Sequence, residues 1–225
     1  MAEERSSKRS GFLNDLLGLF FNTIFLLVVS LLVSIIVEWC GLYFQWWGGG
    51  TLHSLNMLRI ELGYANATVE SAIVSDFNTG WIAGFIEKYK LIMHQFFYWS
   101  SQGFSFITSD NNTLTMYADS GYNIALVFIL RMMLIIFSFP LFLMVFIWGF
   151  VDGLVERDLR KFGAGRESST IFEAARRMSF PLLVLPFVIY LSFPTAINPL
   201  YIIPPSAIFQ GLLYRVLFSK YKKYL

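Results

Sequence analysis

The chain predicts an all-α membrane protein: four transmembrane helices, with a helical extracytoplasmic segment between the first and the second. Three observations lead there. Hydrophobic residues make up 56% of the 225 positions and charged residues only 14%, against about 25% charged in soluble domains. Apolar runs recur at about twenty residues, the length that crosses roughly 30 Å of hydrocarbon as a helix. Lys and Arg gather in the segments that such spans would leave on one side.

Residues 1–15 form a polar, basic tail. Leu16 to Val37 carries no charge and is too long for a signal-peptide core. It runs into Glu38, Trp39, Cys40 and the aromatic stretch GLYFQWW, an interfacial anchor and not a cleavage site, so it reads as an uncleaved first span. Residues 38–122 are too many for a bare connection and call for helices of their own. Within them Trp81 to Ile107 is apolar enough to resemble a span, but Glu87, Lys88, Lys90 and His94 interrupt it. Ile82, Phe85, Ile86, Tyr89, Met93, Phe96 and Phe97 recur at helical spacing, which predicts an amphipathic helix on the outer leaflet or the bundle.

The second span, residues 123–150, contains Arg131 and a proline, Pro140, that should kink it. A loop follows at 151–179. Residues 180–197 and 200–218 are the third and fourth spans, parted by Asn198 and Pro199, and residues 219–225 close the chain. Six of the seven prolines fall between Pro181 and Pro205 inclusive. That predicts a kinked helical hairpin, with a re-entrant pair as the alternative.

Charge orients this layout. Arg5, Lys8 and Arg9 precede the first span; Arg157, Arg160, Lys161, Arg166, Arg176 and Arg177 lie in the 151–179 loop; Arg215, Lys220, Lys222 and Lys223 are at the end. The 38–122 segment has only Arg59, Lys88 and Lys90 against a larger set of Asp and Glu. Basic residues accumulate on the cytoplasmic side of short loops, so both termini are expected in the cytoplasm and the number of spans is even.

The 151–179 loop should itself be helical. Val151, Leu154, Val155, Leu159 and Phe162 continue a helical period, with Glu156 and Arg160, and Arg157 and Lys161, four apart. Gly163 and Gly165 would end that helix. The sequence Thr170-Ile-Phe-Glu173 is a capping box that would start a second short helix leading into Pro181. A lipid anchor would be uniformly basic, worth about 1 kcal/mol per residue near the surface; here both signs alternate, which suits a protein partner. The candidate partner-binding residues are Asp152, Arg157, Asp158, Arg160, Lys161, Arg166 and Glu167.

The run FVDGLVERDLRKFGAGRESSTIFEAARR, residues 150–177, with an apolar span before it and a proline-containing span after it, resembles a family of integrating conjugative element inner-membrane proteins. The likeness centres on Asp152 to Ser169. Members look like proteins encoded near the coupling ATPase of mobile-element type IV secretion systems, with no established enzymatic activity. The resemblance implies a multi-pass protein of the bacterial inner membrane. It also implies an accessory role in conjugative DNA transfer, docking the coupling ATPase or the channel through this loop. A small transporter or channel subunit, and a structural or exclusion factor acting through residues 38–122, are the alternatives.

No chemistry competes with a binding role. Arg131 lies about 12 Å along its span from Asn123, at 1.5 Å per residue. It is read either as snorkelling or as a polar link to another helix, with Glu38 or Asp119 as counter-ion. His53 and His94 lack a cysteine or carboxylate pattern, and Cys40 is the single cysteine, so neither zinc nor a disulfide is expected. Gly163-Ala-Gly165-Arg-Glu-Ser168 lacks the preceding strand and the Gly-Lys-Ser/Thr ending of a phosphate loop, and no nucleophile elbow is present. The expectation is no enzyme and no cofactor. Lipid and a protein are the expected partners, homo-oligomerisation is left open, and nucleic-acid binding should be weak because acidic residues share the basic side.

Overall fold

The computed structural model describes residues 2–48, 52–74, 81–107, 113–162 and 169–221. They form seven α-helices, α1 (Ala2–Tyr43), α2 (Leu52–Val74), α3 (Trp81–Ile107), α4 (Thr113–Phe137), α5 (Phe139–Phe162), α6 (Ser169–Ser192) and α7 (Ile203–Ser219), with a 3-10 turn at Pro199–Tyr201. Among the described residues four stretches are long and apolar enough to cross a membrane: Phe21–Tyr43, Thr113–Arg160, Thr170–Ser192 and Pro199–Ser219. Their number is the four expected, each overlapping an expected span, and the described residues form an all-α fold, as read from the sequence.

α4 is the axis of the bundle, touching α1, α2, α3 and α6. Trp39 donates its indole N–H to the Tyr117 carbonyl at 3.0 Å, while Thr23 and Leu27 line one cavity with Ile135, so α1 and α4 run antiparallel. Along α2, Ser54 meets Asn123 and Glu61 meets Arg131, so α2 runs parallel to α4. On α3, Tyr89 and Met93 pack on Leu130 and Leu134, and Phe85 stacks on Phe137, which makes it antiparallel. The 38–122 segment therefore contains a hairpin laid along the second span. Its α3 matches the expected amphipathic stretch, while α2 had no sequence forecast of its own.

The second span breaks at Ser138. Pro140 has no N–H to offer the Ile136 carbonyl. The chain turns there, with the Ser138 N–H and hydroxyl both bonded to the Leu134 carbonyl, at 3.0 and 2.7 Å. Beyond the break an apolar cavity of about 550 Å³ separates α1 from α5, lined by Leu27, Ile135, Phe142, Phe187 and Gln210 among others.

α5 instead packs on α7, side by side and parallel. Gly149 and Gly153 sit one turn apart on the contact face: a Cβ on Gly149 would lie 2.5 Å from the Gly211 carbonyl oxygen, and one on Gly153 2.7 Å from the Arg215 carbonyl oxygen. Small residues at this spacing let helix backbones approach closely.

Two details differ from the sequence reading. α1 is helical from Ala2, so the basic stretch before Leu16 prolongs the first helix. α6 runs unbroken from Ser169 through Pro181 and Pro186 to Ser192, so the short helix expected from the Thr170 capping box is the first part of the third span. A proline costs a helix one bond to the preceding turn, and packing on α7 and α1 keeps the rest aligned.

Candidate functional site

The buried polar centre is built around Arg131. α6 stops because Pro194 follows its last turn: in a continuing helix the Tyr190 carbonyl would accept from residue 194, and proline has no N–H. The carbonyls of Tyr190, Phe193 and Thr195 are thus left at the negative end of a helix dipole. α4 brings Arg131 to that end. Its Nη1 donates to Tyr190 O at 2.7 Å and Phe193 O at 2.9 Å, and its Nη2 donates to Thr195 O at 2.8 Å.

Glu61 on α2 balances the charge. Its Oε1 accepts from Arg131 Nε at 3.1 Å and Nη2 at 2.7 Å, and from the Ile197 backbone N–H at 3.2 Å. Every N–H of the guanidinium then has an acceptor, which the planar five-donor fork of arginine allows and the ammonium of lysine does not. The Tyr190 ring covers the cation, 5.0 Å from Cζ to the centroid. Both charged side chains are 0% exposed. Together they join α2, α4, α6 and the α6–α7 turn.

This corrects the counter-ion assignment. Glu38 is buried on α1 opposite His53, whose Nδ1 lies 3.2 Å from Oε2 and whose ring stacks on Trp47 at 4.3 Å. Asp119 is six residues from the start of α4 and twelve before Arg131 on the same helix, about 18 Å along it and out of reach. The chain comes back from α1 to α2 through Gln45 and Gly48, both with left-handed φ of 55° and 56°. That reversal brings Glu38 and His53 together, and only Gly48 adopts such a φ without steric cost.

Of the proposed partner-binding residues, those on α5 lie at the opposite end of the bundle from Glu38 and His53. Asp152 Oδ2 is 2.6 Å from Arg215 Nε on α7, and Glu156 Oε2 is 3.3 Å from the same atom. Asp152 is thereby part of the α5–α7 joint. Arg157 Nε faces Asp158 Oδ1 at 3.5 Å, and Arg160 is half-buried on the outer turn of α5. Lys161 belongs to α5, with its side chain outside the described residues; Arg166 and Glu167, with Gly163 and Gly165, lie outside them altogether.

α5 continues about 13 Å past Gly153, at 1.5 Å per residue, with Glu156 still reaching Arg215 on α7. Along this extension Val155, Leu159 and Phe162 are exposed, Phe162 at 92%. They make an apolar stripe bordered by Asp158 and Arg160, a face that composition alone had presented as a charge cluster.

Glu61 escaped the sequence reading because α2 has no strong amphipathic pattern and carries Arg59 beside it. Its signal was the spacing Ser54, Met57, Glu61, Ala65, which puts small and polar residues on one helix face.

Neither the curated proteins nor the solved structures compared with the chain gave a match. A protein-family profile did, over residues 22–222, which takes in the three later candidate spans, all but the first residue of the first, and both polar centres. The chain belongs to the DtrJ-like family, described as IncC plasmid conjugative DNA transfer protein DtrJ-like.

Proposed function

We propose that this protein is an accessory component of a conjugative DNA-transfer apparatus in the bacterial inner membrane, with both termini in the cytoplasm. It would dock the coupling ATPase or the secretion channel through the α5 extension and the loop to α6. Family membership supports the link to conjugative transfer. The observation that carries the docking reading is the free end of α5, where exposed Leu159 and Phe162 stand between charges of both signs. An apolar centre with a polar rim is the usual composition of a specific protein interface. The role is binding, not catalysis, and the mobile element is either a plasmid or an integrating conjugative element, as the 150–177 resemblance implies.

The test is affinity purification of the intact protein from gently solubilised donor membranes, beside a variant with Arg157, Arg160 and Lys161 changed to Glu. Recovery of the coupling ATPase or a channel subunit with the native chain only supports docking at this end. Recovery of neither, with both proteins correctly inserted, rejects it.

A further inference from the structure

The two sides of the bundle differ at the same depth. Ser30 on α1 and Ser192 at the end of α6 share a hydrogen bond at 2.6 Å, and Arg131 binds the carbonyls of Tyr190 and Phe193 around that residue. Ser30, Arg131 and Glu61 are therefore level. From Ile24 to Ile36, about 9 Å to either side of Ser30, every exposed residue of α1 is apolar: Ile24, Phe25, Val28, Val29, Leu32, Val33 and Ile36. That is a lipid-facing surface.

The opposite side, at the same depth, is charged. Arg59 is exposed on α2, two residues before Glu61. On α3, Tyr89 is buried against Leu134 and Phe137, only about 5 to 9 Å along α4 from Arg131, while its neighbours Glu87, Lys88 and Lys90 point outward, exposed. None of these three has an ion-pair partner among the described residues. Charges at bilayer depth face protein or enclosed water, not lipid.

We propose that the α2–α3 face is covered by a second copy of this chain, related by a twofold axis along the bundle. Such an axis keeps equal residues at equal depth and makes the patch its own complement. Glu87 of one copy then stands within about 4.5 Å in height of the partner copy's position 90, a lysine, at three residues of helical rise. Leu91 and Ile92, both exposed beside these charges, supply apolar contact. The single patch carries both signs, so a second copy gives each Glu87 a lysine across the axis without a further component. The inference does not rest on docking by α5, which lies at the other end of the molecule.

Cross-linking in membranes tests it. In a Cys40→Ser background, which removes the only cysteine, single-cysteine variants Glu87→Cys, Leu91→Cys and, as a lipid-facing control, Val28→Cys are oxidised with copper phenanthroline. The expected result is a species of twice the monomer mass for the two α3 variants and none for Val28→Cys. Two differently tagged copies add a check: a Glu87→Lys chain should capture a Lys88→Glu, Lys90→Glu chain several-fold better than either captures itself. Cross-linking of α3 to a species of another mass would show a different protein on this face. Labelling by a membrane-impermeant maleimide without cross-linking would show water there, and neither reaction would show lipid. Each of those three outcomes overturns the proposal.

Discussion

Glu61 and Arg131 are seventy positions apart in the chain, yet one carboxylate oxygen of Glu61 receives two N–H groups of Arg131, at 3.1 and 2.7 Å, with both side chains sealed from solvent. Removing one member leaves the other charge buried alone, which costs about 3–5 kcal/mol, whereas replacing both with apolar residues costs far less. Arg131→Met and Glu61→Leu should each lower the melting temperature in detergent sharply, and the double variant should lose less than the two together. A double variant that loses the full sum would show that the pair is not coupled.

Arginine is needed at 131 for its shape as well as its charge. Arg131→Lys keeps the cation but offers three donors where the guanidinium uses five, leaving carbonyls of the α6–α7 turn unsatisfied at about 1–3 kcal/mol each. The expected outcome is a thermal loss approaching that of Arg131→Met, with faster proteolysis at residues 193–198. A wild-type melting curve would mean that charge alone suffices.

The joint between α5 and α7 should be intolerant of added volume. A methyl group at Gly149 or Gly153 meets backbone and Cβ atoms of α7, so alanine at either position should destabilise by about 1–3 kcal/mol. Gly18 has open space around it, and alanine there should be neutral or stabilising, since glycine weakens a helix interior by about 1 kcal/mol. Thermal unfolding of the three alanine variants side by side is the check.

Not every ion pair in the structure carries weight. Arg215 and Asp152 are 43% and 39% exposed, and exposed pairs of this kind contribute at most about 1 kcal/mol, less in salt. Asp152→Asn should therefore change the melting temperature little at high salt. A loss as large as that of Arg131→Met would mean that this joint is dry in the membrane-bound protein.

Leu159→Ser together with Phe162→Ser should leave folding unchanged, because both side chains are largely exposed, and should reduce conjugative transfer frequency by more than tenfold. Transfer at the native frequency, with normal protein levels, would count against docking at the α5 extension.

The sequence displayed some of this plainly and concealed the rest. Long runs without charge, such as 16–37, declare a span whatever surrounds them, because no other environment satisfies twenty apolar residues in a row. Pro140 announced the break at Ser138, since a missing N–H is a local fact. The partner of Arg131 was concealed because it depends on a tertiary contact: the helix-face spacing around Glu61 marks a polar position but not the residue, seventy positions on, that it meets. Glu38, nearer the end of a recognised span, was the more conspicuous choice, and only the left-handed turn at Gln45 and Gly48 directs it to His53. At the loop, the helical period already includes Phe162, but its exposure depends on where α7 ends.

The placement of Arg131 also sets an order of events during synthesis. Glu61 leaves the ribosome seventy residues before its cation, about 4 to 14 s earlier at roughly 5–20 residues per second, and the carbonyls that complete the guanidinium's shell, Tyr190 to Thr195, emerge later still. Until Arg131 arrives the nascent hairpin of α2 and α3 holds an unmatched carboxylate that has no stable place among apolar helices. The hairpin gains its counter-ion with α4, but the shell closes only once the α6–α7 turn has been made, so that turn acts as the clasp on the polar centre.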